Sequence, residues 1–135
     1  MTKSFVDTNI FLRFLVKEDE QAYNKSFALF KKASEGKINL ITSSLVIFEI
    51  IWTLESFYKV KKSDIVGKVL GILNLPNLEV EKAEILLQAL ILWKDENIDF
   101  ADAYNYCFFL SESVDCIYSY DKHFDKLSLV RRLEP

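Results

Sequence analysis

Four acidic residues of the chain stand where a carboxylate could do chemistry: Asp7, Glu49, Asp102 and Asp121. Carboxylate oxygens without cysteine or histidine are a donor set that favours Mg²⁺ or Mn²⁺ over zinc. Carboxylates that lie within a few ångströms of one another also repel, so a cluster of them demands cations. The chemistry open to these residues is therefore metal binding, and each of them also has a structural explanation.

Asp7 and Asp121 each follow a short apolar segment that we predict as a β-strand, Ser4–Val6 and Cys116–Tyr118. Ligands of parallel sheets gather at the carboxyl ends of the strands, so this placement favours a functional site. The structural alternatives are that Asp7 only caps the following helix and that Asp121 is a turn residue. Asp125 could be mistaken for Asp121, and we choose Asp121 because it lies nearer the strand end.

Glu49 lies in a predicted helix, residues 44–58, that is apolar at nearly every position. A lone carboxylate buried in such a helix costs several kcal/mol unless it is paired or binds a metal. The alternative is that Glu49 shares a narrow solvent-exposed stripe with Thr53 and Ser56, which fall on the same helical face. The burial argument favours a functional Glu49.

Asp99 and Asp102 form a D-x-x-D pattern at a predicted helix start, which is typical of helix capping. The positive end of a helix also favours an ionised carboxylate, and Ala101 and Ala103 leave room for a close approach. We therefore assign Asp99 to the cap and Asp102 to the metal. His123, the single histidine, is interpreted as a surface residue.

Short apolar strands alternate with amphipathic helices, which predicts an α/β fold with a parallel sheet covered by helices on both faces. A chain of 135 residues fits one domain, so we expect a single domain over residues 1–135. The strands are predicted at 4–6, 38–41, 78–80, 116–118 and 127–130. The helices are predicted at 10–16, 19–34, 44–58, 63–73, 82–94 and 99–113.

Composition excludes several classes of protein. The formal net charge of -3 argues against a protein that coats nucleic acid through bulk electrostatics. No apolar run approaches the ~20 residues of a membrane span, and the first residues do not resemble a secretion signal. Cys107 and Cys116 match neither a zinc spacing nor a redox motif, so we expect free thiols and a cytoplasmic location.

Taken in order, the four acidic motifs resemble those of the PIN-domain nucleases, specifically the VapC-like toxins of bacterial and archaeal toxin–antitoxin pairs. The resemblance spans essentially the whole chain, and the matching stretches are Phe5–Asn9, Ser44–Leu54, Asp99–Ala103 and Tyr118–Phe124. It implies a three-layer α/β sandwich, with the four acids in one pocket and Mg²⁺ or Mn²⁺ as cofactor. Thr8 and Ser119 match the small hydroxyl residues that accompany the first and last acids in this family.

The resemblance implies an endoribonuclease toxin that hydrolyses RNA with a metal-activated water and is inhibited by a cognate antitoxin protein. A housekeeping RNA-processing PIN nuclease is the alternative within the family. Outside it, the alternatives are a receiver-type Mg²⁺-binding signalling domain and a non-catalytic interaction module.

A homodimer is also expected, because two predicted helices carry, over residues 45–58 and 65–73, more apolar surface than one small domain can cover. We place that interface on the side of the first helix that carries Ile47, Ile51, Leu54 and Tyr58. The same helices are expected to form the groove for an antitoxin helix.

Overall fold

The computed structural model describes residues 2–135. The chain forms two compact units, the first ending at Ala83 and the second beginning at Glu84. Both units contain parallel strand pairs, and the described residues form six α-helices and five strands in all. The predicted α/β class with parallel strands and flanking helices is confirmed.

The first unit is built on a three-stranded parallel sheet in the order β1-β2-β3. Its strands are β1 (Lys3–Phe5), β2 (Asn39–Thr42) and β3 (Leu78–Val80). Its helices are α1 (Thr8–Leu15), α2 (Glu20–Ser34), α3 (Ser44–Ser56) and α4 (Lys62–Leu73). Two helices therefore connect each strand of this sheet to the next, because parallel strands need a crossover connection.

Side-chain caps explain where three of these helices begin. Asp7 accepts a hydrogen bond from the backbone N–H of Thr8, Asp19 from those of Gln21 and Ala22, and Ser43 from that of Val46. Such caps satisfy backbone donors that have no partner inside the helix. The polar residues that the sequence places before these three helices thus define where they start.

The core side of α3 differs from our prediction. Ile47, Ile51 and Leu54, which we placed at a dimer interface, are at most 3% exposed. Helix α3 packs against α1 and α4 within the first unit. The interface prediction for these three residues is wrong, because helical packing inside the unit already covers that side.

The second unit comprises α5 (Ala83–Asp95), α6 (Phe100–Ser111), β4 (Cys116–Tyr118), a 3-10 helix (Lys122–Lys126) and β5 (Arg131–Leu133). Strands β4 and β5 pair in parallel, with Tyr118 opposite Leu133. Trp93 of α5 packs edge-on against Phe100 at the start of α6.

The last strand lies later in the chain than predicted. Residues 127–130 are not a strand; Leu127 instead follows the 3-10 helix and donates its N–H to the carbonyl of Phe124. The strand begins at Arg131, whose N–H bonds the carbonyl of Asp115, and Arg132 is only 12% exposed at its side chain. An arginine can occupy this strand because its charge is paired with Asp125.

Glu81, just after β3, supports the start of α3. Its Oε1 accepts the backbone N–H of Ser44 at 3.0 Å and the Ser44 hydroxyl at 2.9 Å. Both hydrogen bonds favour the ionised carboxylate and hold the pKa of Glu81 below its ordinary value of 4.5.

We predict that Glu81→Gln lowers the melting temperature at neutral pH and weakens its dependence on acidity. A depressed carboxyl pKa stabilises the fold above the unfolded value, near 4.5, and that stabilisation is lost as pH falls through the folded value. Melting temperatures between pH 6 and about pH 3 measure the effect. The exposed Glu84, in the first turn of α5, provides the control Glu84→Gln. Identical pH profiles for wild type and Glu81→Gln would contradict the assignment.

Both cysteines are free within the described residues; Cys107 is buried and Cys116 is partly so. Burial raises the pKa of the Cys107 thiol, which makes it a poor nucleophile. Among residues 2–135, no helix is long and apolar enough to cross a membrane.

Candidate metal centre

Three side chains of the second unit converge in a way that suits a cation. Asp102, Asp121 and His123 each offer a ligand atom, and these atoms all lie within 4.8 Å of one another. Asp102 comes from α6, whereas Asp121 and His123 come from the segment after β4. Residues distant in sequence thus meet at one place in the second unit.

Helix α6 presents Asp102 from its first turn. Partial burial, and then the nearby charges of Asp121 and Asp99, raise the pKa of the Asp102 carboxyl, while His123 opposes the shift. Asp99 stands at the N-cap position as predicted, but its side chain caps no backbone N–H among the described residues. The site therefore carries excess negative charge that a bound cation would relieve.

Asp121 is held by its neighbours at the end of β4. Its backbone N–H donates to the Ser119 hydroxyl at 2.9 Å, and its Oδ1 accepts the N–H of His123 at 2.9 Å. Ser119 is itself fixed, because its carbonyl accepts from the Arg132 guanidinium and its N–H donates to Leu133. Ser119 thus positions Asp121.

Asp125, which sequence alone could not clearly separate from Asp121 as the functional acid, instead forms an ion pair. Its two carboxylate oxygens accept from the Arg132 guanidinium at 2.9 and 3.3 Å. This pairing lowers the pKa of Asp125 and occupies its oxygens. Asp121, and not Asp125, belongs to the cluster.

His123 is the residue that sequence reasoning missed. Its side chain is 54% exposed, as a surface residue would be, yet its Nδ1 lies 2.9 Å from Oδ1 of Asp121. The Asp-x-His spacing of Asp121 and His123 at a helix start is the sequence feature that could have indicated that the two side chains lie together. Because the Asp121 side chain turns back to the backbone N–H of His123, the histidine ring is brought beside the carboxylate.

In the first unit, Asp7 and Thr8 stand at the end of β1. Asp7 is exposed, and its Oδ1 accepts the N–H of Thr8 at 2.8 Å, so Asp7 caps α1. The buried Thr42 donates its hydroxyl to the carbonyl of Val6 at 2.8 Å. That bond fixes the strand end from which Asp7 projects.

Glu49 is exposed on α3, so its predicted burial among apolar side chains is wrong. It faces solvent because the opposite side of α3 takes the core positions. The buried Thr8 donates its hydroxyl to Oε2 of Glu49 at 3.3 Å. Glu49 also lines an open groove of about 390 Å³ with Phe48, Trp52 and Thr53. The solvent-stripe alternative describes where Glu49 lies, and Thr8 links it to the Asp7 end of β1.

The predicted site residues therefore fall into two groups. Asp7, Thr8 and Glu49 are joined by hydrogen bonds in the first unit. Asp102 and Asp121 meet in the second unit, with Ser119 in support. Carboxylate oxygens dominate both groups, and that donor set fits Mg²⁺ or Mn²⁺.

Comparison with known proteins identifies similar chains. A family model described as "PIN domain" matches residues 4–129. Mycobacterium tuberculosis VapC20, a sarcin–ricin loop cleaving toxin, is 18% identical, with 99% of this chain and 100% of that chain covered and a TM-score of 0.42. VapBC2 from Rickettsia felis, bound to a promoter DNA fragment, is 16% identical, with 98% of each chain covered and a TM-score of 0.39. Because these values are low, neither structure assigns a function here. No curated protein matches the chain.

Proposed function

Because the chain belongs to the PIN-domain family, whose model spans residues 4–129, we propose that it is a metal-dependent endoribonuclease. PIN domains are typically metal-dependent nucleases that use divalent cations. The observation that carries the proposal is the convergence of Asp102 and Asp121 with their excess negative charge. Membership of this family excludes the receiver-domain alternative.

We propose that Asp7, Glu49, Asp102 and Asp121 together hold Mg²⁺ or Mn²⁺ against the scissile phosphodiester. The support comes from the order of the four motifs and from the hydrogen bonds that hold each group of acids. A divalent cation bound there would polarise the phosphate and lower the pKa of an attacking water. No nucleophilic side chain is needed.

The neighbouring hydroxyl groups position these acids. Thr8 donates its hydroxyl to Oε2 of Glu49 and so orients that carboxylate. Ser119 accepts the N–H of Asp121 and so fixes the backbone from which that carboxylate extends. Removing such a supporting hydrogen bond typically lowers metal affinity or activity about 10–100-fold. Thr8 and Ser119 are therefore positioning residues.

Cleavage of a single-stranded RNA in the presence of Mn²⁺ tests the proposal. The products should carry a 3′-hydroxyl and a 5′-phosphate, because water attacks in line and the leaving oxygen is the 3′ oxygen. Excess EDTA should stop the reaction, and a DNA strand of the same sequence is the substrate control. RNA cleavage that continues undiminished in EDTA would refute a metal-dependent mechanism.

We further propose that the nuclease is the toxin of a VapBC-type pair, acting in the cytoplasm under the control of an antitoxin protein. The resemblance of the four motifs to VapC-like toxins supports this role. Exposed apolar side chains on α3 and just after it are available for partners: Leu45 and Trp52 of α3 are each 66% exposed, and Phe57, which follows the helix, is 71% exposed. Expression of the wild type should arrest bacterial growth, and expression of Asp102→Asn should not.

The same α3 surface leads us to propose a homodimer, with the interface moved from Ile51 to Trp52. Trp52→Glu is expected to convert a wild-type dimer into a folded monomer, because a charge would be buried at the contact. Light scattering measures the mass and circular dichroism the fold. Phe27→Glu, at a 48% exposed aromatic residue on α2, is the matched control and should stay dimeric. A monomeric wild type, or a dimeric Trp52→Glu, would contradict the interface.

A further inference from the structure

We infer that His123 is a ligand of the metal centre and that its imidazole nitrogen shifts the preference of the centre from Mg²⁺ toward Mn²⁺. The inference rests on the proposed metal site and adds a nitrogen to a donor set otherwise made of carboxylates. It also concerns a residue that neither the four-acid motif nor its supporting hydroxyls include.

The first argument is distance. The ligand atoms of Asp102, Asp121 and His123 lie within 4.8 Å of one another. Two ligands of one small divalent cation can be separated by roughly twice a metal–ligand bond, about 4.2 Å. The His123 side chain is 54% exposed, which leaves room for small side-chain rotations that bring the three ligand atoms within this span.

The second argument is the way the chain constrains the ring. Oδ1 of Asp121 accepts the backbone N–H of His123 at 2.9 Å and lies 2.9 Å from its Nδ1. The Asp-x-His segment thereby keeps a carboxylate and an imidazole side by side. The 3-10 helix is anchored to α6 by Phe124, which is 8% exposed and packs edge-on against Phe109.

The third argument is the chemistry of the donor set. Mg²⁺ binds almost entirely through oxygen, whereas transition-metal ions gain affinity from an imidazole nitrogen. Mixed carboxylate and histidine sets are used by di-iron and di-manganese proteins. A nitrogen donor beside Asp102 and Asp121 therefore favours Mn²⁺ over Mg²⁺.

The competing role for His123 is that of a positioning residue, whose Nδ1–H donates to Asp121 and only orients the carboxylate. The two roles differ in whether a nitrogen is bonded to the metal. His123 is the single histidine of the 135-residue chain, so an imidazole signal on the metal can come from no other residue.

Pulsed electron paramagnetic resonance on the full chain, free of any histidine tag and loaded with Mn²⁺, tests the inference. The wild type should show the nitrogen modulation of a directly bonded imidazole. His123→Gln should lose that modulation and bind Mn²⁺ at least ~10-fold more weakly, with a smaller change in Mg²⁺ affinity. Lys126→Gln, at an exposed residue of the same 3-10 helix, should match the wild type in both measurements.

A wild type that binds Mn²⁺ and cleaves RNA without nitrogen modulation would overturn the role of His123 and leave the proposed nuclease intact. Mn²⁺ affinity unchanged in His123→Gln would have the same meaning. A wild type that binds no divalent cation would instead defeat the proposed metal centre, and His123 with it. The wild-type spectrum needs no variant, so the test does not depend on how His123→Gln folds.

Discussion

Asp102→Asn is expected to reduce Mn²⁺-dependent RNA cleavage at least ~100-fold while the chain stays folded, because it removes a carboxylate that we propose as a direct metal ligand. Substituting a residue that only supports a ligand typically lowers activity about 10–100-fold. Loss of the ligand itself should therefore lower activity by at least the upper end of that range. Asp7→Asn should have a comparable effect, and Asp121→Asn a milder one. Single-turnover rates on one labelled RNA measure all three variants.

Asp95→Asn is the matched control for this series, since Asp95 is an exposed acid at the end of α5 in the same unit. It should cleave at the wild-type rate. Asp102→Asn that folds normally and retains wild-type activity would remove Asp102 from the metal site. Equal losses for Asp95→Asn and Asp102→Asn would indicate a general effect of charge.

The second large effect concerns stability. Without metal, Asp102→Asn should melt at a higher temperature than the wild type. Burial and the charges of Asp121 and Asp99 disfavour the ionised Asp102 carboxylate in the folded protein, and asparagine has no charge to disfavour. With metal bound, the wild type should melt at a higher temperature than Asp102→Asn. Cation at 100 times its Kd adds about 2.7 kcal/mol to the wild type, and less to a variant that binds weakly.

Calorimetry in EDTA and in excess Mn²⁺ measures both halves of this prediction. Asp95→Asn should show the metal-dependent gain of the wild type. A metal-free Asp102→Asn that melts no higher than the wild type would show that repulsion at the cluster is negligible. A wild-type melting temperature that does not respond to Mn²⁺ would show that the folded chain binds the cation no better than the unfolded chain.

Local sequence determined most of the secondary structure. Polar caps such as Asp7, Asp19 and Ser43 precede apolar periodic segments, and a side chain that satisfies a backbone N–H a few residues away is visible in sequence alone. Strand β4, Cys116–Tyr118, was predicted because it is a short apolar segment. The strand at Arg131–Leu133 was missed, because a paired arginine in a strand has no apolar signature.

The order of the four acidic motifs also came from sequence, because motif resemblance needs no coordinates. Tertiary structure decided which neighbours those acids have. Arg132 engages Asp125 and so separates it from Asp121, and Asp121 brings His123 into the cluster. Helix α3 was predicted correctly, yet its exposed side carries Trp52 and Glu49 while Ile51 lies in the core. A helix that is apolar all round does not reveal which side it buries, since that depends on the helices packed against it.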